Sequence, residues 1–305
     1  VEDTAHALCR KYGVFHWWLA FPQVAAKGGF SVMLGNPPWE QLQLSEEEFF
    51  ASRAPSIAAL AGDKRKQAIT SLETDAPWLW SAFQNAKRQY DAANQFLRAG
   101  GRFPLTAVGK LNTYALFAEV FLQATRGNGR AGFIVPTGIA TDDSTKAYFG
   151  HIAAGGRLAS LYDFENREAV FPAIDSRIKF SLLTLGAAPE AAFVCFATRA
   201  SQLADPRRRF TLTPDEFSLI NPNTRTCPVF RSERDAELTK KLYRAAPVLI
   251  EEEVRGADGQ MLKPELNPWG LTFSQGLFNM TSDSSLFHGE PGSPGVPRRL
   301  PLYEA

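Results

Sequence analysis

An apolar run, Gly29-Phe30-Ser31-Val32-Met33-Leu34-Gly35, stops at Asn36-Pro37-Pro38-Trp39, and no other junction constrains the chain as tightly. The run has the length of a strand and closes on a glycine, so it reads as a buried strand. Two consecutive prolines fix φ twice and remove two backbone donors, so neither a helix nor a paired strand continues through them. Any fold this chain adopts must end a core strand at Gly35 and present Asn36–Trp39 at that strand's carboxyl end.

The flanking pattern sets the class. From Glu40 to Gly100 the sequence reads as helical, with Leu79, Phe83, Ala86, Tyr90, Ala93 and Leu97 forming one amphipathic stripe. Pro55 and Gly62 interrupt its first half, which predicts a bent helix or a helical hairpin used for packing, not a partner coiled coil. A second helix is expected from Asn112 to Arg126, with Gly127-Asn128-Gly129 as its left-handed cap. Then come a strand at Ala131–Pro136, a helix near Ser144–Ala154, and strands near Leu158–Phe164 and Ile178–Leu185. Strand and helix alternate from about residue 29 to 186, which predicts an α/β fold with a mostly parallel sheet covered by helices. Beyond Gly186 periodicity weakens, Arg207-Arg208-Arg209 opens a basic stretch, and His288–Pro301 reads as loop. No internal repeat is present.

The chemistry sits at the junction. In open α/β sheets ligands lie outside the carboxyl ends of strands. There the prolines hold their carbonyls rigidly as acceptors, and the Asn36 amide oxygen adds another. Two converging acceptors suit an exocyclic amino group, which has two hydrogens to donate, and Trp39 offers a flat face to a planar base. The lone pair of an aromatic amine is delocalised and poorly nucleophilic. Accepting both amino hydrogens favours a tetrahedral nitrogen whose lone pair can attack an electrophilic methyl, through orientation and fixed dipoles alone. Chance would place these four residues in roughly one chain of this size in a few thousand.

The stretch Gly29–Glu40 resembles motif IV of the DNA amino-methyltransferases that use S-adenosylmethionine, in particular adenine-N6 enzymes of the gamma arrangement in the type IIG-like branch that fuses methylation to restriction. The likeness continues in order. Asn112–Phe117 resembles the family helix whose phenylalanine lies on the cofactor's adenine, which implies that role for Phe117. Gly129–Pro136 resembles the next strand, and Ala169-Val170-Phe171-Pro172 resembles motif VIII, which implies that Phe171 stacks on the flipped base. Val14–Trp17 and Asn221–Thr224 are also similar to the restriction-fused branch, without assignable chemistry. The resemblance implies a site-specific adenine-N6 DNA methyltransferase of a restriction–modification or phage-defence system, with Asn36, Pro37 and Trp39 catalytic, Trp39 and Phe171 base-stacking, and Phe117 and Asn36 facing S-adenosylmethionine. The implied fold is a partial class I (Rossmann-like) methyltransferase sheet in 1–39 and 101–200, a helical insertion in 40–100, and a loop-rich 201–305 leading into a target-recognition domain. The implied partner is double-stranded DNA.

Family members carry the glycine-rich cofactor loop and the ribose-binding acid upstream, and only 35 residues precede Asn36 here. The G-x-G-x-x-G match at Gly127–Gly132 follows a helix and enters a strand, the reverse of a phosphate loop. With Pro301–Ala305 stopping inside a continuing segment, the expectation is an internal fragment of a longer chain, inactive by itself. The same motif also serves methylation of protein glutamine or of RNA bases, but the roughly 70-residue stretch between Trp39 and Asn112 disfavours those compact enzymes. A non-catalytic DNA-binding remnant is the third reading.

Composition excludes other classes. Lys plus Arg total 33 against 32 acidic residues, so a polybasic tail protein is out while a local DNA-binding patch is not. Cys9, Cys195 and Cys227 are scattered, which argues against a disulfide framework and for a reducing cytosol. No signal peptide or membrane-length apolar run is legible. His6, His16, His151 and His288 lack metal-ligand spacing. Asp142-Asp143 could hold a metal, but a helix start explains them at least as well, and Pro214-Asp215-Glu216 reads as a helix start, not as nuclease acids. Arg207–Arg209 and Lys64–Lys66 fit either phosphate contacts or solvated faces.

Overall fold

The computed structural model describes residues 2–256 and 258–273; His288, the 288–301 loop and Pro301–Ala305 lie outside them. Two compact units form, one up to Val248 and one from Leu249. The first opens with helices α1 (Glu2–Lys11), α2 (Trp17–Ala20) and α3 (Pro22–Ala25), then strand β1 (Phe30–Gly35). Four helices come next: α4 (Glu46–Ala51), α5 (Pro55–Ala58), α6 (Gly62–Asp75) and α7 (Pro77–Ala99). Pro55 and Gly62 begin helices, as their interruption of the pattern requires, and Pro77 starts α7 where its missing N–H costs nothing. Only the first half of the α7 stripe, Leu79 and Phe83, is buried, against Phe50, Ile57, Ile69 and Leu72 in a separate small core.

The chain continues through α8 (Thr113–Ala124), β2 (Thr125–Pro136), α9 (Gly138–Thr141), α10 (Lys146–Ala154), β3 (Leu158–Glu165), β4 (Lys179–Leu185), β5 (Ala191–Ala197), β6 (Phe210–Leu212), α11 (Pro214–Ile220) and α12 (Glu233–Ala245). The α/β expectation is met, with strand order β1-β2-β4-β3-β5-β6. The sheet, however, is mixed: β1·β2 and β3·β5 are parallel, while β2·β4, β3·β4 and β5·β6 are antiparallel. No crossover helix joins β3 to β4, so β4 folds back antiparallel and slots between β2 and β3. Beyond Gly186 the loop-like reading is corrected, since β5, β6, α11 and α12 extend the same unit. Pro214 does start a helix: Thr213 and Glu216 form a reciprocal capping box.

One sheet face, with Phe133, Val135, Leu161, Leu183, Leu185 and Phe193, is buried under α8, α10, α11 and α12 through Ala118, Phe149, Ile152, Phe217 and Ala236. On the second face Phe164, Phe180, Val194 and Ala197 form a smaller cluster near the strand ends. A bulge in β5 assigns the last of these. Phe196 sits at φ 57, the register skips between Tyr162 and Phe164, and Ala197 comes to lie opposite Phe164. The buried Asp163 holds the bulge by accepting the Phe196 N–H at 3.2 Å and the Thr137 hydroxyl at 2.5 Å.

The expected left-handed cap at Gly127-Asn128-Gly129 is not there. Helix α8 ends at Ala124 and β2 begins at Thr125, so the G-x-G-x-x-G match runs inside a strand. Gly129 serves close approach instead, whereas a Cβ on Gly127 would meet open space. A Cβ on Gly129 would stand 2.7 Å from the Phe30 carbonyl oxygen, and one on Gly29, at φ 127, 2.5 Å from that of Ala124. Gly29→Ala combines that clash with a backbone conformation L-residues avoid, and is expected to cost at least about 2 kcal/mol. Urea denaturation measures it; a loss below about 0.5 kcal/mol would mean the β1–β2 junction relaxes freely.

The second unit carries a two-stranded antiparallel ribbon, β7 (Val254–Arg255) with β8 (Met261–Lys263). A bridge between Glu251 and Leu266 and an ion pair between Lys263 and Glu251 tie it. Among the described residues no helix is long and apolar enough to cross a membrane.

Candidate functional site

Strand β1 delivers Asn36 to the carboxyl rim of the sheet, beside the end of β2. Gly35 allows this, because the Phe121 ring of α8 lies where its Cβ would be, at 2.9 Å. The prolines then break the strand and leave Pro37 buried and Asn36 exposed. Helix α8 grips the Pro38–Glu40 backbone. Its cap residue Asn112 accepts the Tyr114 N–H, and next to it the Thr113 hydroxyl donates to the Pro38 carbonyl at 2.7 Å. The Thr113 N–H donates to the Glu40 carbonyl at 2.9 Å, and the Glu40 N–H returns to the Thr113 hydroxyl at 3.0 Å.

This clamp sorts the acceptors. The Pro38 carbonyl is taken, whereas the Pro37 carbonyl and the Asn36 amide have no partner among the described residues. Two adjacent acceptors therefore stay unused on the rim, on a backbone whose φ is fixed at both prolines.

Trp39 turns back into the protein. Its indole N–H donates to the Ile134 carbonyl of β2 at 3.4 Å, and its half-buried ring packs on the Phe164–Phe180 cluster. Phe171 joins that cluster, its ring edge-on to Phe180 at 5.0 Å between centroids. Trp39 and Phe171, 132 residues apart in sequence, thus share one aromatic patch, with Phe164 and Phe180 stacked at 5.1 Å as its floor.

What places Phe171 escaped the sequence reading. Asn166, 1% exposed at the end of β3, accepts the Phe171 N–H at 2.9 Å and donates to the carbonyls of Phe171 at 3.0 Å and Ile174 at 2.9 Å. One amide side chain folds the whole 166–175 turn. The only cue was an asparagine closing a strand, which many turns share.

Phe117 lies one turn beyond Thr113 on α8 and is 40% exposed, with no ring stacking among the described residues. It is not in the Trp39–Phe171 patch. On the buried side of α8, Tyr114 is pushed up to about 12 by burial and by the charge of Asp142. Burial likewise raises Cys195 to about 12 and Cys227 well above the usual thiol range, so neither is a ready nucleophile. Among the described residues no group of three His, Cys, Asp or Glu is placed to hold a metal.

Fold and rim together define a mixed α/β protein with a polar acceptor pair and an aromatic patch at the ends of its strands. No protein-family model and no curated protein sequence matches the chain. Among solved structures it is similar to the type IIG restriction endonuclease BpuSI, at 15% identity and TM-score 0.32 over 56% of this chain and 15% of that one. It is also similar to a type I restriction–modification methyltransferase subunit from Streptococcus thermophilus, at 12% identity and TM-score 0.33 over 46% and 35%. A third is a modification subunit of a putative type I restriction enzyme from Vibrio vulnificus YJ016, at 12% identity and TM-score 0.30 over 86% and 40%. The chain spans well under two thirds of the length of each. Likenesses at these values decide nothing about activity, which has to be argued from the site.

Proposed function

We propose that this chain carries the catalytic rim of a DNA adenine-N6 methyltransferase acting in a restriction–modification or phage-defence system. The observation that supports it is the unclaimed pair of acceptors, the Asn36 amide and the Pro37 carbonyl, set beside the Trp39–Phe171 patch. An amino group lying between them donates both hydrogens, and its nitrogen is left with a directed lone pair. Neither acceptor titrates near neutrality, so the attack needs no prior proton transfer. As the N–methyl bond formed, the methyl donor's methyl–sulfur bond would break, the neutral thioether would leave, and the methylated nitrogen would lose its extra proton to water. Trp39 and Phe171 hold the base by its faces, which requires the nucleotide to leave the stack, because neither its faces nor a freely approachable amino group are open in a duplex.

S-adenosylmethionine would supply the electrophilic methyl group. The residues at hand fit part of it: the exposed ring of Phe117 suits the face of its adenine, one helical turn from the Thr113 clamp. Among the described residues no glycine-rich strand-to-helix turn accompanies Phe117.

The test is transfer of labelled methyl from S-adenosylmethionine by the full-length protein to duplex DNA, RNA and a release-factor protein, followed by nucleoside mass spectrometry. N6-methyladenine in DNA is the expected product. Label in RNA or protein glutamine moves the chain to those classes, and no transfer at all leaves it a DNA-binding remnant.

Trp39→Ala is expected to weaken the fluorescence rise of a duplex carrying 2-aminopurine at the target position, with about 1–3 kcal/mol of stacking lost. Trp39→Phe keeps a ring face but loses the bond to Ile134, and should be milder. Normal flipping and methylation by both variants would reduce Trp39 to a core residue.

A further inference from the structure

The sequence offers two basic runs, and the structure separates them. In Lys64–Lys66, Arg65 is held against Glu47 at 3.3 Å and the Ala58 carbonyl at 2.7 Å, and Lys66 faces Asp63 at 3.5 Å. Arg65 and Lys66 are thus engaged within their own helical region. In Arg207–Arg209 only the first residue is neutralised, by Asp205, whose carboxyl Arg207 holds down at about 2. Arg208 and Arg209 form no ion pair among the described residues, although the charge of Arg208 also acts on Asp205: Arg208 donates to the Phe196 carbonyl at 3.4 Å, and Arg209 to the Tyr162 hydroxyl at 3.4 Å.

Further cations meet at the same place. Arg231 lies over the Phe196 ring with its guanidinium carbon 4.6 Å from the centroid, and the Lys179 ammonium lies 5.6 Å from it. Three cationic side chains thus converge on Phe196, the bulge residue whose N–H is fixed by buried Asp163. The segment bearing Arg231 is fastened to the arginine run, since the Glu233 N–H donates to the Arg207 carbonyl at 2.9 Å. Nearby carboxylates are occupied: Glu165 by Arg167 and Lys179, Glu168 by Arg199. Lys179 is thereby answered by Glu165, whereas Arg208, Arg209 and Arg231 form no ion pair among the described residues, in a chain whose net charge is only +1.

Its position matters. Strands β4 and β6 run antiparallel to their neighbours, so both begin on the side of the sheet where β1 and β3 end. Lys179 lies opposite Glu165, the last residue of β3, and Phe210 lies opposite Phe193, in the row that also holds Gly35 at the end of β1. Arg208 and Arg209 directly precede Phe210. In the order β1-β2-β4-β3-β5, Asn36 and Phe196 are separated by four strand spacings, about 19 Å along the rim. That corresponds to about five or six base steps of duplex.

We propose that Arg208, Arg209 and Arg231 form a phosphate ridge that carries the backbone of duplex DNA along the carboxyl rim, several base pairs from the flipped nucleotide. The inference rests on the DNA reading above and adds the surface that holds the duplex. Bound phosphates relieve the mutual repulsion of the arginines, and the Phe196 platform keeps the guanidinium groups in place for them.

The experiment compares the salt dependence of binding of a fluorescent, random-sequence duplex of about 30 base pairs to the full-length protein, between about 50 and 200 mM salt. The triple variant Arg208→Gln/Arg209→Gln/Arg231→Gln is expected to lower the slope of log K against log salt by about 2.7, at about 0.9 per phosphate contact. The corresponding triple lysine variant should keep most of the slope, which separates charge from folding. Lys64→Gln/Lys66→Gln should leave it unchanged. Wild-type binding with a slope untouched by the triple glutamine variant overturns the ridge and spares the DNA reading. Wild-type protein that binds no duplex overturns both.

Discussion

Asn36→Ala is expected to lower kcat of the full-length protein at least about a hundredfold, the scale of losing one preorganised polar contact to a reacting group. Asn36 is exposed and its side chain bonds to nothing within the described fold, so stability should stay within about 0.5 kcal/mol of wild type. DNA affinity should also hold, because phosphate contacts dominate it. An intact fold that binds but does not turn over is the signature of lost amino-group alignment. Asn36→Asp keeps an acceptor at the same place and should retain more turnover than alanine. Stopped-flow binding with single-turnover methylation separates these effects, and near-normal turnover by Asn36→Ala would overturn the mechanism.

Asn166→Ala should harm both fold and site. It strands a buried N–H and the carbonyls of Phe171 and Ile174, each of which Asn166 now satisfies. Leaving such groups unpaired costs about 1–3 kcal/mol apiece, reduced where water reaches the opened turn, so a loss of about 2–4 kcal/mol is expected in urea. The turn also presents Phe171, so the 2-aminopurine signal should fall even at temperatures where the variant is folded. Asn166→Asp keeps the acceptor for the Phe171 N–H but none of the donors, and should fall between. If Asn166→Ala unfolds with wild-type stability and flips normally, the turn is held by something else.

The sequence by itself determined those features whose cause is local. Two prolines after an apolar run end a strand wherever it pairs, so the stop of β1 at Gly35 is dictated by residues 29–39. The expected burial is corrected, since β1 lies at the sheet edge with Val32 70% and Leu34 86% exposed and only Met33 buried. Pro55, Gly62 and Pro77 punctuate the helices, and Thr213 with Glu216 caps one, through contacts three residues long. Only the tertiary structure decided features whose partners are distant in the chain. Strand β4 has the same apolar pattern whether it runs parallel or antiparallel, and its slot between β2 and β3 is fixed by hydrogen bonds across about 50 residues. Gly129 looks like part of a helix cap until Phe30 is brought within a Cβ's reach. Strand β5 hides a bulge that only its register against β3 reveals. The same holds at the rim: Thr113, 75 residues from Pro38, takes one carbonyl and leaves the other free. Nor does Arg207-Arg208-Arg209 say which arginine is neutralised, because three identical side chains differ only in what the fold sets beside each.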